Sequence, residues 1–377
     1  MKRGLHADAA EMFADMARLA DNPHAHSISL GKIGELAFKR GDVRQAIDAF
    51  EKALELLGQT VPRRRWRVRV RLGWESFVQS LHTSFPWLTG RRRRPNEEVI
   101  TRWQLLRRLA MASWFVKHDC FSRWTQLRWM NDCERYPATV ELGDVYAAHA
   151  VTLAYRRQLG QGLQYAQRSL EIHQRLGNTA GCASARCAFS SISAAQAQFS
   201  EAGQQAREAV RAVQGTRNQW EVHQAQLLLA DALYRSGELL NAAEIAAQVN
   251  RAAVQLGDQP AVAASLSLWS RAANGRITRE VVAQQVDRRH DPVGRAQLML
   301  AESCRLLRVE QFESSSSLLE IAADSIERAG TMNDQTAPVY AWWLTALRKS
   351  LESCPAYDVV SRRRARRQVL QKFGGMS

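Results

Sequence analysis

Between Leu30 and Ala53 the chain sets Leu30, Ile33 and Gly34 before Gly41, then Ala46, Phe50 and Ala53 after it. Intervals of three and four residues put the first set on one face of a helix and the second on one face of the next. Gly34, Ala46 and Ala53 are small enough for two helix backbones to approach closely, while Leu30, Ile33 and Phe50 fill the gaps between them. Gly41 supplies the reversal at low steric cost. One such hairpin cannot bury its own apolar face, so several must stack. That requirement points to a binding scaffold and away from a catalyst.

Weaker copies follow. Val222, Ala225, Leu229 and Leu233 share one helical face before a break at Gly237, and Leu239, Ala242, Ile245, Ala246 and Val249 line the next helix. Leu153, Ala154, Ala166 and Leu170 mark another hairpin, with Gly160 near its turn, and Phe189, Ala202, Ala206 and Ala209 mark one more. The anchors Ala166, Ala202 and Ala242 stand 36 and 40 residues apart, close to the ~34-residue period of the tetratricopeptide repeat, which this pattern resembles. Two helix ends share a phrase, Arg175-Leu-Gly-Asn178 and Gln255-Leu-Gly-Asp258. In each, glycine closes one helix and a polar residue caps the next. Beyond Asp258 the repeats fade, and Gly275, Asp291-Pro292, Gly330 and the stretch from Asn333 to Pro338 read as turns between helices. Ser314–Ser317 reads as part of a helix, and Pro355 precedes a last helix ending at Gly374. The expected fold is all-α, a tetratricopeptide-like α-solenoid, a right-handed superhelix of antiparallel hairpins. It divides into hairpins over 1–58, a Trp/Arg-rich insert over 59–136, repeats over 137–258, and degenerate repeats with a basic C-terminal helix over 259–377.

The net charge of +15 suggests nucleic acid until it is located. Arg63 to Arg94 holds ten arginines against one acid, Glu75, and 361–372 adds five arginines and Lys372 with no acid. These two patches account for the whole excess, and the rest of the chain is balanced as a solvated helical array should be. Arginine outnumbers lysine 45 to 7, a bias of the whole composition. Six cysteines (Cys120, Cys133, Cys182, Cys187, Cys304, Cys354) form no CxxC pair and read as reduced thiols. His24 and His26 sit in an expected turn with no metal-ligand spacing around them. No run reaches the ~18–20 apolar residues of a spanning helix, and the N-terminus lacks the apolar core of a secretory signal. A cytoplasmic location follows as the expectation.

The stretch from Thr60 to Tyr136 departs from the repeats. It contains Trp66, Trp74, Trp87, Trp103, Trp114, Trp124 and Trp129, seven of the chain's eleven tryptophans. Trp66, Val70, Trp74, Phe77 and Leu81 recur at helical spacing until Pro86 and the Gly90–Pro95 stretch interrupt them. The first expectation is an insert of larger helices whose aromatics fill a wide core. The sharper alternative is an amphipathic aromatic-basic element for a partner or an anionic membrane surface. Arg65, Arg67, Arg69 and Arg71 alternate along the sequence, which on a helix spreads charge around the cylinder.

From Gly41 to about Tyr155 the chain resembles the tetratricopeptide region of large bacterial signalling ATPases of the STAND class. The residues that carry the likeness are Ala53-Leu-Glu-Leu-Leu-Gly58, Pro62, the helix from Arg65 to His82, Ser113-Trp114-Phe115, and Met130 to Tyr136 followed by Glu141-Leu142. In that family this region follows an AAA-type nucleotide-binding domain, and an adenylate/guanylate cyclase or serine/threonine kinase domain often stands at the N-terminus. Here there is no Gly-x-x-x-x-Gly-Lys-Ser/Thr phosphate loop and no kinase or cyclase signature. The resemblance therefore implies a scaffold or sensor part, and no enzymatic residue carries over.

No catalytic set stands out. Gly-x-Ser-x-Gly and His-Glu-x-x-His are absent, Asp231 and Glu238 read as surface or capping groups, and His118-Asp119-Cys120 are helix neighbours that point apart. Asp119 reads instead as a helix start. The chain is expected to be no enzyme and to need no cofactor or metal. Its partner is expected to be a protein or peptide held in a concave groove, contacted by polar positions on helices near 24–40, 139–157, 179–197 and 217–236. One alternative is nucleic-acid binding or transcriptional regulation through Arg91, Arg92, Arg93 and Arg94 together with Arg362, Arg363, Arg364, Arg366 and Arg367. Another is peripheral attachment to a membrane surface between Trp74 and Arg94.

Overall fold

The computed structural model describes residues 5–90, 92–115, 119–214, 218–286, 291–331 and 335–353, and no strand occurs among them. The helices run α1 (Leu5–Arg18), α2 (Pro23–Arg40), α3 (Val43–Leu56), α4 (Arg65–Ser84), α5 (Glu97–Ser113), α6 (Asp119–Cys133), α7 (Val140–Tyr155), α8 (Leu159–Arg175) and α9 (Thr179–Ala195). They continue as α10 (Phe199–Val213), α11 (Gln219–Arg235), α12 (Leu239–Leu256), α13 (Gln259–Ala272), α14 (Arg279–Val286), α15 (Pro292–Arg308), α16 (Phe312–Ala329) and α17 (Ala337–Ser353). A single 3-10 turn, Pro86–Leu88, follows α4.

Caps decide where many of these helices start. The side chains of Asn22, Asp42, Asn96, Thr139, Asn178, Asp258 and Asp291 each accept a hydrogen bond from a backbone N–H in the first turn of the helix that follows. The repeated Leu-Gly-Asn/Asp phrase behaves as its chemistry requires. Gly177 and Gly257 close α8 and α12 in the left-handed region, and Asn178 and Asp258 cap α9 and α13.

Packing makes a two-layered tetratricopeptide-like α-solenoid. The pairs α2–α3, α7–α8, α9–α10, α11–α12 and α15–α16 are hairpins. The first members also touch in succession, α5 to α7, α7 to α9, α9 to α11, α11 to α13, α13 to α15 and α15 to α17, and so form an inner layer. Of the signature residues, Ala46, Phe50, Ala53, Ala166, Ala202 and Ala242 are buried at helix crossings, Gly34 and Gly41 are buried, and Leu30 and Ile33 are half-buried. A Cβ at Gly34 would come within 2.5 Å of Phe50 Cε1, so that crossing admits no larger residue. Leu239 departs from the expected lining and is exposed.

The turns of equivalent hairpins all need a left-handed residue, and only some have glycine there. Gly41 and Gly237 take it without strain, while Arg157, Ala197 and Glu310 adopt φ near 60° in the same role. Gly160, expected near a turn, lies in the first turn of α8 instead. A non-glycine residue in this region costs of order 1 kcal/mol or more. Exposed Ala197→Gly should therefore stabilise the protein by roughly 0.5–1 kcal/mol after the entropy cost of glycine. A denaturation midpoint unchanged or lowered would contradict that assignment of strain.

Beyond Asp258 the signature fades but the packing does not. Ser270 donates to the Ala301 carbonyl at 2.8 Å, and Ser303 and Ser315 share a hydroxyl contact at 2.6 Å. Buried serines take the place of alanine where α13, α15 and α16 meet. His24 and His26 lie within α2, not in a turn, and the His24 ring contacts the Thr101 hydroxyl at 3.0 Å. The expected final helix, including Pro355 and Gly374, lies outside the described residues.

The tryptophan-rich insert divides in two. Trp103, Trp124 and Trp129 are buried core. Trp103 Nε1 donates to Asp132 at 2.9 Å, and Arg102 reaches the same carboxylate at 2.7 Å. Burial works to raise the Asp132 pKa, yet these partners outweigh it and hold the group below the usual carboxylate range. Trp66, Trp74 and Trp87 instead face solvent. The core-filling expectation thus fails for the tryptophans of α4, for a physical reason: its inner face is occupied by Val68 and Leu72 and by polar groups with their own buried partners. Asn131 donates to Glu75 at 2.7 Å, Gln79 donates to the Tyr165 hydroxyl at 3.1 Å, and the His82 ring meets Glu134 at 2.6 Å.

Candidate interaction site on the inner helix layer

The inner layer curls enough for α2 to touch α13, and this brings residues distant in sequence together. Phe38 from α2 stacks edge-on against Phe115, just after α5, and against Trp220 of α11, each at 5.6 Å between ring centroids. Trp114 and Tyr155, at the ends of α5 and α7, lie 5.1 Å apart. A set of charges accompanies these rings. Arg108 pairs with Glu35 at 2.6 Å, linking α5 to α2, and Arg107 pairs with Asp144 at 2.7 Å, linking α5 to α7.

The electrostatics of the set are uneven. Burial lowers the Arg108 pKa, with Glu35 opposing and Arg107 adding to the effect. Burial pushes Asp144 up, but His173 and Arg107 overcome this and leave it below its ordinary value. His173 Nε2 lies 3.4 Å from Asp144 Oδ1 without hydrogen-bonding alignment, so the contact is electrostatic packing more than a bond. Glu221, at the start of α11, has its pKa raised by burial and by Asp144, with Arg107 and a hydrogen bond from the Asn218 side chain only partly compensating. Among the described residues no lysine or arginine pairs with Glu221. The helix layer therefore offers a carboxylate that can accept a cationic group, and separately a cluster of aromatic rings. No group of histidine, cysteine and carboxylate side chains here could hold a metal among the described residues.

The sequence-based site residues fall elsewhere. Arg91 and Arg362, Arg363, Arg364, Arg366 and Arg367 lie outside the described residues. Arg92 is committed to the end of α6: its backbone N–H donates to the Arg135 carbonyl at 2.9 Å and its guanidinium to the Tyr136 hydroxyl at 3.2 Å. Arg93 and Arg94 are exposed. The groove helices expected from the sequence correspond to α2, α7, α9 and α11 of the inner layer, but α5, with Arg107 and Arg108, is not among them, and Asp144 and Glu221 are not singled out. The doublet Arg107-Arg108 inside an apolar run, and Glu221 beside Trp220, were the signals available.

Two of the buried cysteines are held as thiols. Burial pushes Cys187 and Cys304 up to about 12, which leaves both as thiols at neutral pH. Cys354 and His118 lie outside the described residues.

No protein-family model matches the chain, and no curated protein does. Among solved structures, the chain is similar to a Rap protein complexed with Competence and Sporulation Factor, with 9% identity over 86% of this chain and 99% of that one and a TM-score of 0.44. It is also similar to the apo form of RapI, with 10% identity over 87% and 99% and a TM-score of 0.41. A third is yeast Tom70, with 13% identity over 95% and 61% and a TM-score of 0.37. These scores are too low for any of the three to bear on this protein, whose fold stands on its own helix packing. No helix among the described residues is long and apolar enough to cross a membrane.

Proposed function

We propose that this chain is a non-catalytic protein-interaction scaffold that holds a segment of a protein or peptide partner against its inner helix layer. The observation that carries this reading is Glu221, a half-buried carboxylate with a raised pKa and no ion pair among the described residues, close enough to Arg107 and Asp144 to feel their charge. An acid held in that state is improved by an incoming cation, and the Phe38–Trp220 ring contact on the same helix layer suits an apolar or aromatic neighbour on the same segment. The resemblance of Gly41–Tyr155 to the repeat region of signalling ATPases supports the further reading that the scaffold serves a bacterial signalling system, as a sensor arm or partner of an ATPase, cyclase or kinase.

The test is site-specific photo-crosslinking in a lysate of the native host. A photoreactive residue at exposed Gln224 of α11 should capture a partner, and one at exposed Arg207 of α10 should not. Glu221→Gln should weaken that capture roughly 10-fold, the effect of losing one charge-assisted contact. Capture only from the outer layer, or capture indifferent to Glu221, would sink the proposal. The coding sequence flanking this chain would test the signalling link separately.

A further inference from the structure

The face of α4 that points away from the body of the protein is apolar, and the face that points inward is mixed, with Val68 and Leu72 alongside Glu75 and Gln79. At 100° per residue, Trp66, Val70, Trp74 and Phe77 fall within an arc of about 80°. Their exposures are 58%, 65%, 63% and 55%. The buried residues Val68, Leu72, Glu75 and Gln79 occupy an arc of about 60° on the opposite side. Exposed Arg67 and Arg69 border the apolar stripe on its two sides, and Arg64 and Arg65 stand exposed at its start. The Arg67 guanidinium lies over the Trp66 ring at 5.3 Å. Past the end of the helix, Phe85 and Trp87 are also exposed, with ring centroids 4.9 Å apart. The strand of chain after them is pinned to the end of α6 by Gly90 N–H to the Glu134 carbonyl at 2.8 Å and by Arg92.

This inversion is costly unless something covers the outer face. Four large apolar side chains more than half in water, aligned on one helix, form a contiguous patch of the kind that marks an interaction surface. The inner face does not need them, because Val68 and Leu72 already join the core and Glu75, Gln79 and His82 hydrogen-bond with Asn131, Tyr165 and Glu134.

We propose that α4 lies flat on an anionic lipid bilayer, with Trp66, Val70, Trp74 and Phe77 at the boundary between headgroups and acyl chains and the flanking arginines on lipid phosphates. Charge decides among the occupants. From Arg63 to Arg94 the single acid is Glu75, and it is buried, so the ridge presents no exposed negative group of its own. A second copy docked ridge to ridge would set arginine against arginine. A partner helix needs a groove, whereas this stripe is the crest of a helix packed from one side, chiefly on α6. A planar anionic surface meets a convex aromatic crest along its whole length, about 30 Å for twenty residues. Tryptophan and arginine are the side chains whose apolar bodies and polar ends suit that boundary. This surface is separate from the inner-layer site and stands or falls independently of it.

The test is flotation of the full chain with vesicles of 30% phosphatidylserine in phosphatidylcholine, against phosphatidylcholine alone. Binding to the anionic vesicles should be at least 10-fold tighter and should fall steeply between ~50 and ~500 mM salt. The double variant Trp74→Gln/Phe77→Gln should lose at least 10-fold on anionic vesicles, and Arg67→Glu/Arg69→Glu should do the same, each with an unchanged melting temperature because all four side chains are exposed. Both variants should retain photo-crosslinking from Gln224. Absence of flotation with anionic vesicles, flotation indifferent to both variants, or self-association without lipid that the Trp74/Phe77 variant abolishes would overturn the proposal. So would a soluble acidic protein that the ridge captures while vesicles are ignored.

Discussion

Alanine at position 181 should destabilise the protein by about 1–3 kcal/mol, although glycine to alanine inside a helix ordinarily gains about 0.5–1 kcal/mol. Gly181 sits in the first turn of α9, and a Cβ there would overlap Nδ1, Cγ and Cε1 of the His173 ring. The ring cannot retreat. On its other side a Cβ at Gly143 would lie 2.5 Å from Nε2, so that glycine already allows the closest approach possible. His173 is fully buried, and Asn178 Nδ2 lies 3.3 Å from its Nδ1. One imidazole is therefore clamped between two glycines where α7, α8 and α9 meet, and relief requires the helices to move apart. Gly203 of α10 provides the control, since its Cβ would meet only ordinary contacts at 3.9 Å. Gly203→Ala should stabilise by roughly 0.5–1 kcal/mol, the normal propensity gain. In a His173→Ala background Gly181→Ala should lose most of its cost, giving a coupling of about 1 kcal/mol or more. Urea denaturation of the four variants decides the matter, and a stabilising Gly181→Ala would show that the clamp does not exist.

Much of the architecture could be read from the chain because it depends on local chemistry. Ala166, Ala202 and Ala242 are buried at crossings where only a small residue fits. The Asn178 and Asp258 caps are set by neighbours three residues away. The orientation of α4 was not readable in this way. The interval pattern of Trp66, Val70, Trp74 and Phe77 shows that they share a face, and says nothing about which way it turns. That is settled by Val68 and Leu72 on the other face and by Asn131, Glu134 and Tyr165, which hydrogen-bond with Glu75, Gln79 and His82 from 52 or more residues away. The larger aromatic pattern taken alone gives the wrong side, because a smaller apolar pair together with hydrogen-bonded polar groups competes successfully for the interior.

The inner-layer cluster was hidden for a related reason. Glu35, Arg108, Asp144 and Glu221 come from four helices, and the curl that collects them is a property of the stack, not of any one repeat. Likewise the array continues past Asp258 although its signature stops. Ser270, Ser303 and Ser315 are as compact as alanine and satisfy their hydroxyls across the helix crossings. A search for alanine and glycine at fixed intervals passes over them.

His149 should make the protein sensitive to mild acid, at pH values where Asp132 and Asp144 are still ionised. It lies on α7 with its ring edge-on to Tyr165 at 4.8 Å, and its Nδ1 has no hydrogen-bond partner. Burial, then the nearby charges of Arg123 and Arg156, lower its pKa from the ordinary 6.5 to about 4. Between those values the unfolded chain binds a proton that the native protein refuses, so stability falls as pH falls from 6.5 towards 4. At 1.36 kcal/mol per unit the loss reaches about 3 kcal/mol by pH 4. Asp132 and Asp144 act in a different window. Their depressed values stabilise the fold above the ordinary carboxylate pKa of 3.8, and that contribution is lost only as pH drops further through their native values. His149→Phe keeps an edge-on ring against Tyr165 and removes the titration. From pH 7 to pH 4.5 the wild-type protein should lose about 2–3 kcal/mol more than this variant. Because a repeat array can unfold in parts, hydrogen exchange at the amides of α7 and α8 is the appropriate measurement. Equal losses in the two proteins would mean that water reaches His149 in the native state and that the α4–α7–α8 junction is looser than its buried hydrogen bonds imply.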